Sequence, residues 1–201
     1  MIDSIIFDLD GTLWDSSEQL YDYWSMCFPD LSRDKVKEAL GKTLPEMAEF
    51  WDSPIDQVRQ IQRGENLYLR SNPGIPYPKL KHTIKRLKKK GYRLFIASNC
   101  QAGYIETFLW TTNLGKYFDD FICYDDLGRT KDFNVQNLIQ NHFLSPVLVG
   151  DTKNDESAAQ TNDIPFIWAK YGFGAENPPY RVYQSIMELA ELPDVLRTVS
   201  W

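Results

Sequence analysis

Short apolar runs alternate along this chain with longer amphipathic stretches. The apolar runs span four to six residues, which is the length of buried strands rather than of helices. They predict strands over Ser4–Leu9, Tyr92–Ala97, Asp120–Cys123, Pro146–Val149 and Ile164–Ala169. Helical periodicity predicts helices over Lys79–Lys90, Gln101–Thr111, Phe133–His142, Asp155–Thr161 and Val182–Leu189. Strands that alternate with helices at this spacing indicate an α/β fold built on a doubly wound, mostly parallel sheet.

The region from Trp14 to Pro78 interrupts this alternation. It shows no convincing strand pattern, and its helical patterns cover Glu18–Met26, Arg33–Leu40, Leu44–Trp51 and Ile55–Leu69. Residues 71–78 are rich in proline and include a glycine, so they predict a linker. We therefore predict an all-helical cap domain, residues 14–78, inserted after the first strand of a core domain that comprises residues 1–13 and 79–201. Such a cap lies over the carboxyl end of that strand.

Charge and composition exclude several classes of protein. The 201 residues carry a formal net charge of −6, whereas a nucleic-acid surface needs clustered lysine and arginine. The chain has neither a run long enough to span a membrane nor the pattern of a signal peptide at its N-terminus. Cys27, Cys100 and Cys123 lack metal-binding spacing and fit reduced thiols. We expect a cytoplasmic protein, a monomer or weak homodimer, with no nucleic-acid or membrane partner.

Polar residues follow the predicted strands where each strand ends. In an open parallel sheet, ligands bind outside the carboxyl ends of the strands, so we expect these side chains to converge. The set comprises Asp8, Asp10, Ser98, Asn99, Lys131, Asp151 and Asp155. Several carboxylates at one edge repel each other and call for a cation, and Mg²⁺ prefers oxygen ligands. The pattern therefore indicates a magnesium site.

The same residue types suit phosphoryl transfer. A carboxylate beside a metal-bound phosphate can attack phosphorus, which gives an aspartyl-phosphate. Lys131 supplies positive charge, Ser98 supplies a hydroxyl donor, and the backbone N–H groups around Asn99 are further donors for phosphate oxygens. A second acid must protonate the leaving group, and Asp10 is close enough in sequence to do so.

Four motifs in order resemble those of the haloacid dehalogenase-like hydrolase superfamily. They are Asp8-Leu9-Asp10-Gly11-Thr12-Leu13, then Ser98-Asn99, then Lys131, then Gly150-Asp151-Thr152 with Asp155. The helical insert looks like the cap of the branch that contains phosphoglycolate phosphatase and β-phosphoglucomutase. The resemblance covers essentially the whole chain. It implies a Rossmann-like core and a Mg²⁺-dependent phosphatase that acts on a small phosphorylated metabolite.

The resemblance also implies roles for the individual residues. Asp8 is expected to be the nucleophile and a metal ligand. Asp10 is expected to be the acid and base, with its backbone carbonyl on the metal. Ser98, Asn99 and Lys131 are expected to bind the phosphate. Asp151 is expected to be a metal ligand, and Asp155 either a ligand or a group that orients one.

Two features leave alternatives open. Lys42, between two predicted cap helices, is a candidate contact for an anionic substrate group, and it is equally well explained as a solvated loop lysine. Asp132 follows Lys131 where many relatives have proline, so that loop can differ.

The function has two alternatives. A phosphomutase of the β-phosphoglucomutase type would use the same groups, and a non-catalytic binding module would keep the scaffold. A haloacid dehalogenase is disfavoured, because that chemistry needs neither Asp10 nor the acidic cluster.

Overall fold

The central element is a six-stranded parallel sheet with strand order β5-β4-β1-β6-β7-β8. The computed structural model describes residues 2–28 and 30–198, with Glu176 described by its backbone only. The strands are β1 (Ser4–Phe7), β2 (Trp14–Asp15), β3 (Ile75–Pro76), β4 (Arg93–Ala97), β5 (Asp120–Ile122), β6 (Pro146–Gly150), β7 (Phe166–Ala169) and β8 (Gln184–Ile186). The predicted α/β fold with a doubly wound parallel sheet is confirmed.

Helices cover both faces of the sheet and form the insert after β1. They are α1 (Ser17–Trp24), α2 (Arg33–Ala39), α3 (Leu44–Phe50), α4 (Ile55–Ser71), α5 (Leu80–Lys89), α6 (Tyr104–Thr112), α7 (Tyr124–Leu127), α8 (Lys131–His142), α9 (Lys153–Thr161) and α10 (Leu192–Val195). Short 3₁₀ segments cover Gly115–Tyr117, Phe173–Glu176 and Leu189–Glu191. Within the described ranges, every helix falls short of the length and apolar character that crossing a bilayer requires.

Strand β1 lies at the centre of the sheet, where the strand order reverses. Its Ile5 pairs with Leu94 of β4 on one side and with Val147 of β6 on the other. All four residues of β1 are buried, because helices cover both faces of the sheet. The carboxyl ends of β1, β4 and β6 are therefore neighbours at the switch point, which is where open α/β sheets bind ligands.

The predicted helix over Val182–Leu189 is wrong. Residues Gln184–Ile186 form strand β8, which pairs in parallel with β7 and buries Ile186 against the core. The outer edge of β7 offers backbone N–H and C=O groups that need partners, and pairing with this segment satisfies them. Pairing with β7 in the folded protein therefore outweighs a helical pattern that is only eight residues long.

The insert is helical except at its two ends. Strands β2 and β3 form an antiparallel ribbon in which Trp14 pairs with Pro76 and Asp15 with Ile75. The prediction of no strand between residues 14 and 78 is wrong here, and the predicted linker contributes one side of the ribbon. The chain leaves and re-enters the core at adjacent points, so the two passages pair. Each strand has only two residues, too few for periodicity to reveal.

Several side-chain hydrogen bonds hold the helical insert against the sheet domain, and asparagine side chains donate two of them. Asn66 of α4 donates from Nδ2 to the carbonyl of Ala102, at 2.7 Å. Asn99, in the loop after β4, donates from Nδ2 to the carbonyl of Gly41, at 2.9 Å. We call residues 14–78 the cap segment; its boundaries as a separate domain stay a prediction.

Candidate active site

Three buried carboxylates meet at the switch point. Asp8 directly follows β1, Asp151 directly follows β6, and Asp155 lies in the first turn of α9. Each offers a carboxylate oxygen, and these oxygens all lie within 4.8 Å of one another. The residues are 6%, 0% and 0% exposed, so water screens their mutual repulsion poorly.

Glycines allow this close approach. Gly11 has a φ of +78°, which favours glycine, and a Cβ there would lie 2.3 Å from Oδ2 of Asp151. A Cβ on Gly150 would lie 2.4 Å from Cγ of Asp155. Both glycines stand in the motifs that carry the acidic residues. A side chain at either position would overlap a carboxylate, which explains why glycine stands beside the acidic residues in this sequence.

Lys131, the first residue of α8, bridges two of the carboxylates. Its Nζ donates to Oδ1 of Asp8 and, at 2.6 Å, to Oδ1 of Asp155. Burial acts to lower the pKa of Lys131, but attraction to Asp155 and Asp8 outweighs it and raises that pKa. The lysine is thus held as a cation. Burial raises the pKa of Asp8, which Lys131 opposes and the charges of Asp155 and Asp151 reinforce.

A backbone N–H group and a hydroxyl group hold Asp151 in place. Gly174 donates its N–H to Oδ2 at 3.1 Å, and Thr12 donates its hydroxyl to Oδ1 at 3.3 Å. Burial, followed by repulsion from Asp155, raises the pKa of Asp151 to about 7. Gly174 lies in the 3₁₀ segment after β7, a contact that sequence reasoning missed because a short loop carries no periodic signal.

The donor set fits a divalent cation that prefers oxygen. One lysine faces three carboxylates, so the cluster retains net negative charge when all three ionise. Burial is the main cause that raises the pKa values of Asp8 and Asp151, and repulsion between the carboxylates adds to it. Oxygen-only ligands in this number suit Mg²⁺, which completes its shell with water and phosphate oxygens.

Asp10 is oriented by three hydroxyl or N–H donors. Trp14 Nε1, Ser16 Oγ and Tyr104 Oη donate to its Oδ1 at 3.0, 2.8 and 2.8 Å. Burial raises the pKa of Asp10 to about 6, although these hydrogen bonds act in the opposite direction. A pKa near neutrality suits a group that gives and takes a proton. None of the three donors was predicted; Tyr104 lies 94 residues away, with no sequence signal linking it to Asp10.

A cavity of about 110 Å³ opens above Asp8. Ser98 and Lys131 line it, together with Asp10, so these predicted residues do converge. Lys37 of α2 also lines it, an exposed cap-segment cation that sequence reasoning missed. Helical periodicity placed Lys37 on the polar face of α2 and could not tell which way that face points.

Two residues that were predicted to contact the substrate do not line the Asp8 cavity. The side chain of Asn99 bonds to Gly41 rather than lining the Asp8 cavity, so its phosphate-binding role stays a prediction that its backbone N–H would have to fulfil. Lys42 lines a second cavity, which adjoins the Asp8 cavity at Asp10, and its Nζ lies 5.3 Å from the centroid of the Phe50 ring. Its contact with substrate likewise stays a prediction.

Glu65 of α4 is a buried carboxyl on the wall of that second cavity. Trp24 Nε1 donates to its Oε2 and Gln101 Nε2 to its Oε1, both at 2.8 Å. Burial raises the pKa of Glu65 to about 7, against the effect of these two hydrogen bonds. Sequence reasoning missed Glu65, because one acidic residue in an amphipathic helix is ordinarily solvated.

Glu65→Gln is expected to flatten the pH dependence of stability. Because the pKa of Glu65 is about 7 when folded and 4.5 ordinarily, the folded protein binds more protons between these values. The free energy of unfolding therefore falls as pH rises through this window. Urea unfolding without metal at pH 5 and pH 8 should show on the order of 2 kcal/mol less loss in the variant than in wild type. The exposed Glu49→Gln should keep the wild-type slope; an unchanged slope in Glu65→Gln would contradict the burial argument.

Comparison with known proteins places the chain in a family. The family model described as haloacid dehalogenase-like hydrolase matches residues 5–169. The phosphoglycolate phosphatase of Vibrio parahaemolyticus is 26% identical over an alignment of 216 positions, which covers 94% of each chain. The phosphoglycolate phosphatase of Aquifex aeolicus is 27% identical over 182 positions, covering 84% of this chain and 85% of the relative.

Solved structures show the same fold. CbbY from Rhodobacter sphaeroides, solved in complex with phosphate, has a TM-score of 0.82 at 20% identity, over 96% of both chains. A haloacid dehalogenase-like family hydrolase from Streptococcus pneumoniae has a TM-score of 0.81 at 20% identity, over 97% of this chain and 98% of that one. With the match of the family model over most of the chain, the predicted resemblance is confirmed: this protein belongs to the haloacid dehalogenase-like hydrolase family.

Proposed function

We propose that this hydrolase is a Mg²⁺-dependent phosphatase that cleaves a small phosphate monoester through an aspartyl-phosphate on Asp8. The observation that carries the proposal is the arrangement around Asp8. Its carboxylate lies beside Lys131, Asp151 and Asp155, at the floor of a cavity that Ser98 also lines. This combination offers a nucleophile, fixed positive charge and a hydroxyl donor within one small space.

Asp8, Asp151 and Asp155 are the residues that would hold Mg²⁺. Bound there, the ion would offset the surplus negative charge of the cluster and polarise the phosphate. The protein itself supplies the other positive charge and the hydrogen-bond donors for the phosphate. Lys131 keeps its proton and offers N–H donors to phosphate oxygens, and the Ser98 hydroxyl offers another.

The reaction then needs a nucleophile and a proton carrier. Asp8 attacks phosphorus, and the bond from phosphorus to the ester oxygen breaks as the new bond to Asp8 forms. Asp10 protonates the departing alkoxide and, in the second half-reaction, takes a proton from the water that attacks the aspartyl-phosphate. The three donors to its Oδ1 hold the carboxyl in place for both transfers.

The cap segment excludes water from this chemistry. The hydrogen bonds from Asn66 and Asn99, together with the one that Gln101 donates to Glu65, hold it against the core beside the active-site loops. We infer that these bonds break when substrate enters and re-form before attack, because closure of the site strengthens its electrostatics and protects the intermediate.

Small substrates fit this enclosure. The relatives named phosphoglycolate phosphatase support a phosphate ester of a few carbon atoms as the substrate, and a sugar phosphate is the second candidate.

Phosphate release is expected to require both Mg²⁺ and Asp8. The test is phosphate release from a panel of phosphorylated metabolites by wild type, with Mg²⁺ and after dialysis against EDTA. Metal removal should lower the rate at least about 100-fold, because a divalent cation contributes several kcal/mol to stabilising transition-state charge. Adding Mg²⁺ back should restore it. Undiminished release in EDTA would contradict the metal requirement, and transfer of phosphate within a sugar phosphate without release would favour the phosphomutase.

A further inference from the structure

A second cavity adjoins the one above Asp8, and Asp10, Ser98, Leu40 and Gly41 line both of them. It lies between the cap segment and the loop after β4. The proton carrier for the leaving group therefore stands at the junction of the two. An ester whose phosphate lies over Asp8 can therefore extend past Asp10 into the second cavity.

The buried wall of this cavity presents hydrogen-bond acceptors. Gln62 of α4 is 6% exposed, and its Oε1 has no hydrogen-bond partner among the described residues. Glu65, one turn further along α4, is 3% exposed, and each of its oxygens accepts one hydrogen bond and has capacity for a second. An unpartnered buried acceptor costs stability unless a ligand supplies a donor.

Lys42 stands at the less buried part of the same cavity, with its ammonium beside the Phe50 ring. Lys42 attracts a substrate carboxylate, but the carboxylate could donate no hydrogen bond to Gln62 Oε1 and would leave that buried acceptor unpartnered. A substrate ammonium would donate, but it would also be repelled by Lys42. A hydroxyl both donates and accepts, so hydroxyl groups satisfy Gln62, Glu65 and Lys42 together.

We propose that this cavity binds the leaving group of the substrate and selects the phosphate ester of a small polyol over one that bears a carboxylate. The inference rests on the proposed function and names its substrate class. Hydroxyl groups of the polyol donate to Gln62 Oε1 and to Glu65. The cavity measures about 30 Å³ with the cap segment in place, room for about two water molecules, which limits the part of the substrate it receives to a short chain.

The test uses two substrates that differ in one group. 2-Hydroxyethyl phosphate and 2-phosphoglycolate share a two-carbon chain and a phosphate, but the first ends in a hydroxyl and the second in a carboxylate. Wild type should hydrolyse the first with a kcat/KM at least about tenfold higher, because a site built for a hydroxyl rejects an analogue that lacks it. Glycerol 3-phosphate extends the series by one hydroxyl and should be at least as good as 2-hydroxyethyl phosphate.

Gln62→Met isolates the contribution of the unpartnered acceptor. The Gln62 Oε1 atom bonds to no described residue, so its loss breaks no protein hydrogen bond. The ratio of kcat/KM for 2-hydroxyethyl phosphate to that for 2-phosphoglycolate should fall about tenfold, the effect of one lost hydrogen bond. The matched control is Gln60→Met, the same change at an exposed position of α4 that does not line the cavity. It should leave the ratio of the two kcat/KM values unchanged.

The outcomes separate this inference from the proposed function. Asp8-dependent release that favours 2-phosphoglycolate in wild type would overturn the inference and leave the phosphatase intact. An unchanged ratio in Gln62→Met would also overturn it. If Asp8→Asn does not reduce phosphate release from these three compounds, the proposed function fails, and the inference fails with it.

Discussion

Replacing Asp8 with asparagine is expected to lower kcat for phosphate release at least about 10⁴-fold, because the amide cannot attack phosphorus. The fold should survive. Asparagine has the same size as aspartate, and Lys131 keeps its hydrogen bond to Asp155 when its bond to Asp8 weakens. The change also removes one of three crowded carboxylates, so the free energy of unfolding without metal should not fall.

The measurement combines steady-state phosphate release with a chemical trap. Wild type quenched in acid during turnover of ³²P-labelled substrate should carry label on Asp8, and Asp8→Asn should carry none. Asp22→Asn is the matched control, since Asp22 is exposed on α1 and the substitution changes the net charge equally. It should stay within about twofold of wild type. Turnover of Asp8→Asn near the wild-type rate would remove Asp8 as the nucleophile.

Asp10→Asn is expected to slow turnover of an alkyl phosphate by about 10² to 10⁴-fold. All three described donors to this residue bond to Oδ1, and the amide oxygen of asparagine can accept the same bonds. The substitution therefore preserves the position of the side chain and removes the proton that it transfers. Acid-quenched samples should contain more phosphoenzyme than wild type whenever the second half-reaction is slowed more than the first.

Leaving-group dependence identifies the step that Asp10 serves. An aryl phosphate such as p-nitrophenyl phosphate leaves without much protonation, so its first half-reaction should tolerate Asp10→Asn. A burst of nitrophenol followed by slow release of phosphate is the expected result. Tyr104→Phe, which removes one donor to Asp10 but not the acid, should produce a smaller loss and a shifted pH profile. Equal loss for aryl and alkyl phosphates, with no burst, would assign the proton transfer to another residue.

Sequence patterns predicted the architecture well where elements are long and buried. The five predicted strands are all present, because both faces of the sheet are covered and leave continuous apolar runs. The same patterns did not predict strand β8 or the two-stranded ribbon of β2 and β3. Those strands have three residues or fewer, and they exist because a neighbouring backbone needs hydrogen-bond partners, which no local pattern records.

The sequence likewise predicted some features of the candidate site and missed others. Asp8, Lys131, Asp151 and Asp155 come together as predicted, since each follows or lies near the carboxyl end of a strand at the switch point. Asn99 shows the limit of that reasoning. Its place in the loop was correct, but its side chain turned to Gly41 of the cap segment.

The sequence by itself determined which carboxylates and which lysine meet, and at which edge of the sheet, because parallel strands bring their carboxyl ends together whatever surrounds them. Only the tertiary structure decided what surrounds them. The donors that orient Asp10, the approach of Lys37, and the acceptors Gln62 and Glu65 depend on how the cap segment packs against the core. That packing brings together residues that are far apart in the chain. It depends on the shapes of the two surfaces and on the area they bury, which the local spacing of apolar and polar positions does not reveal.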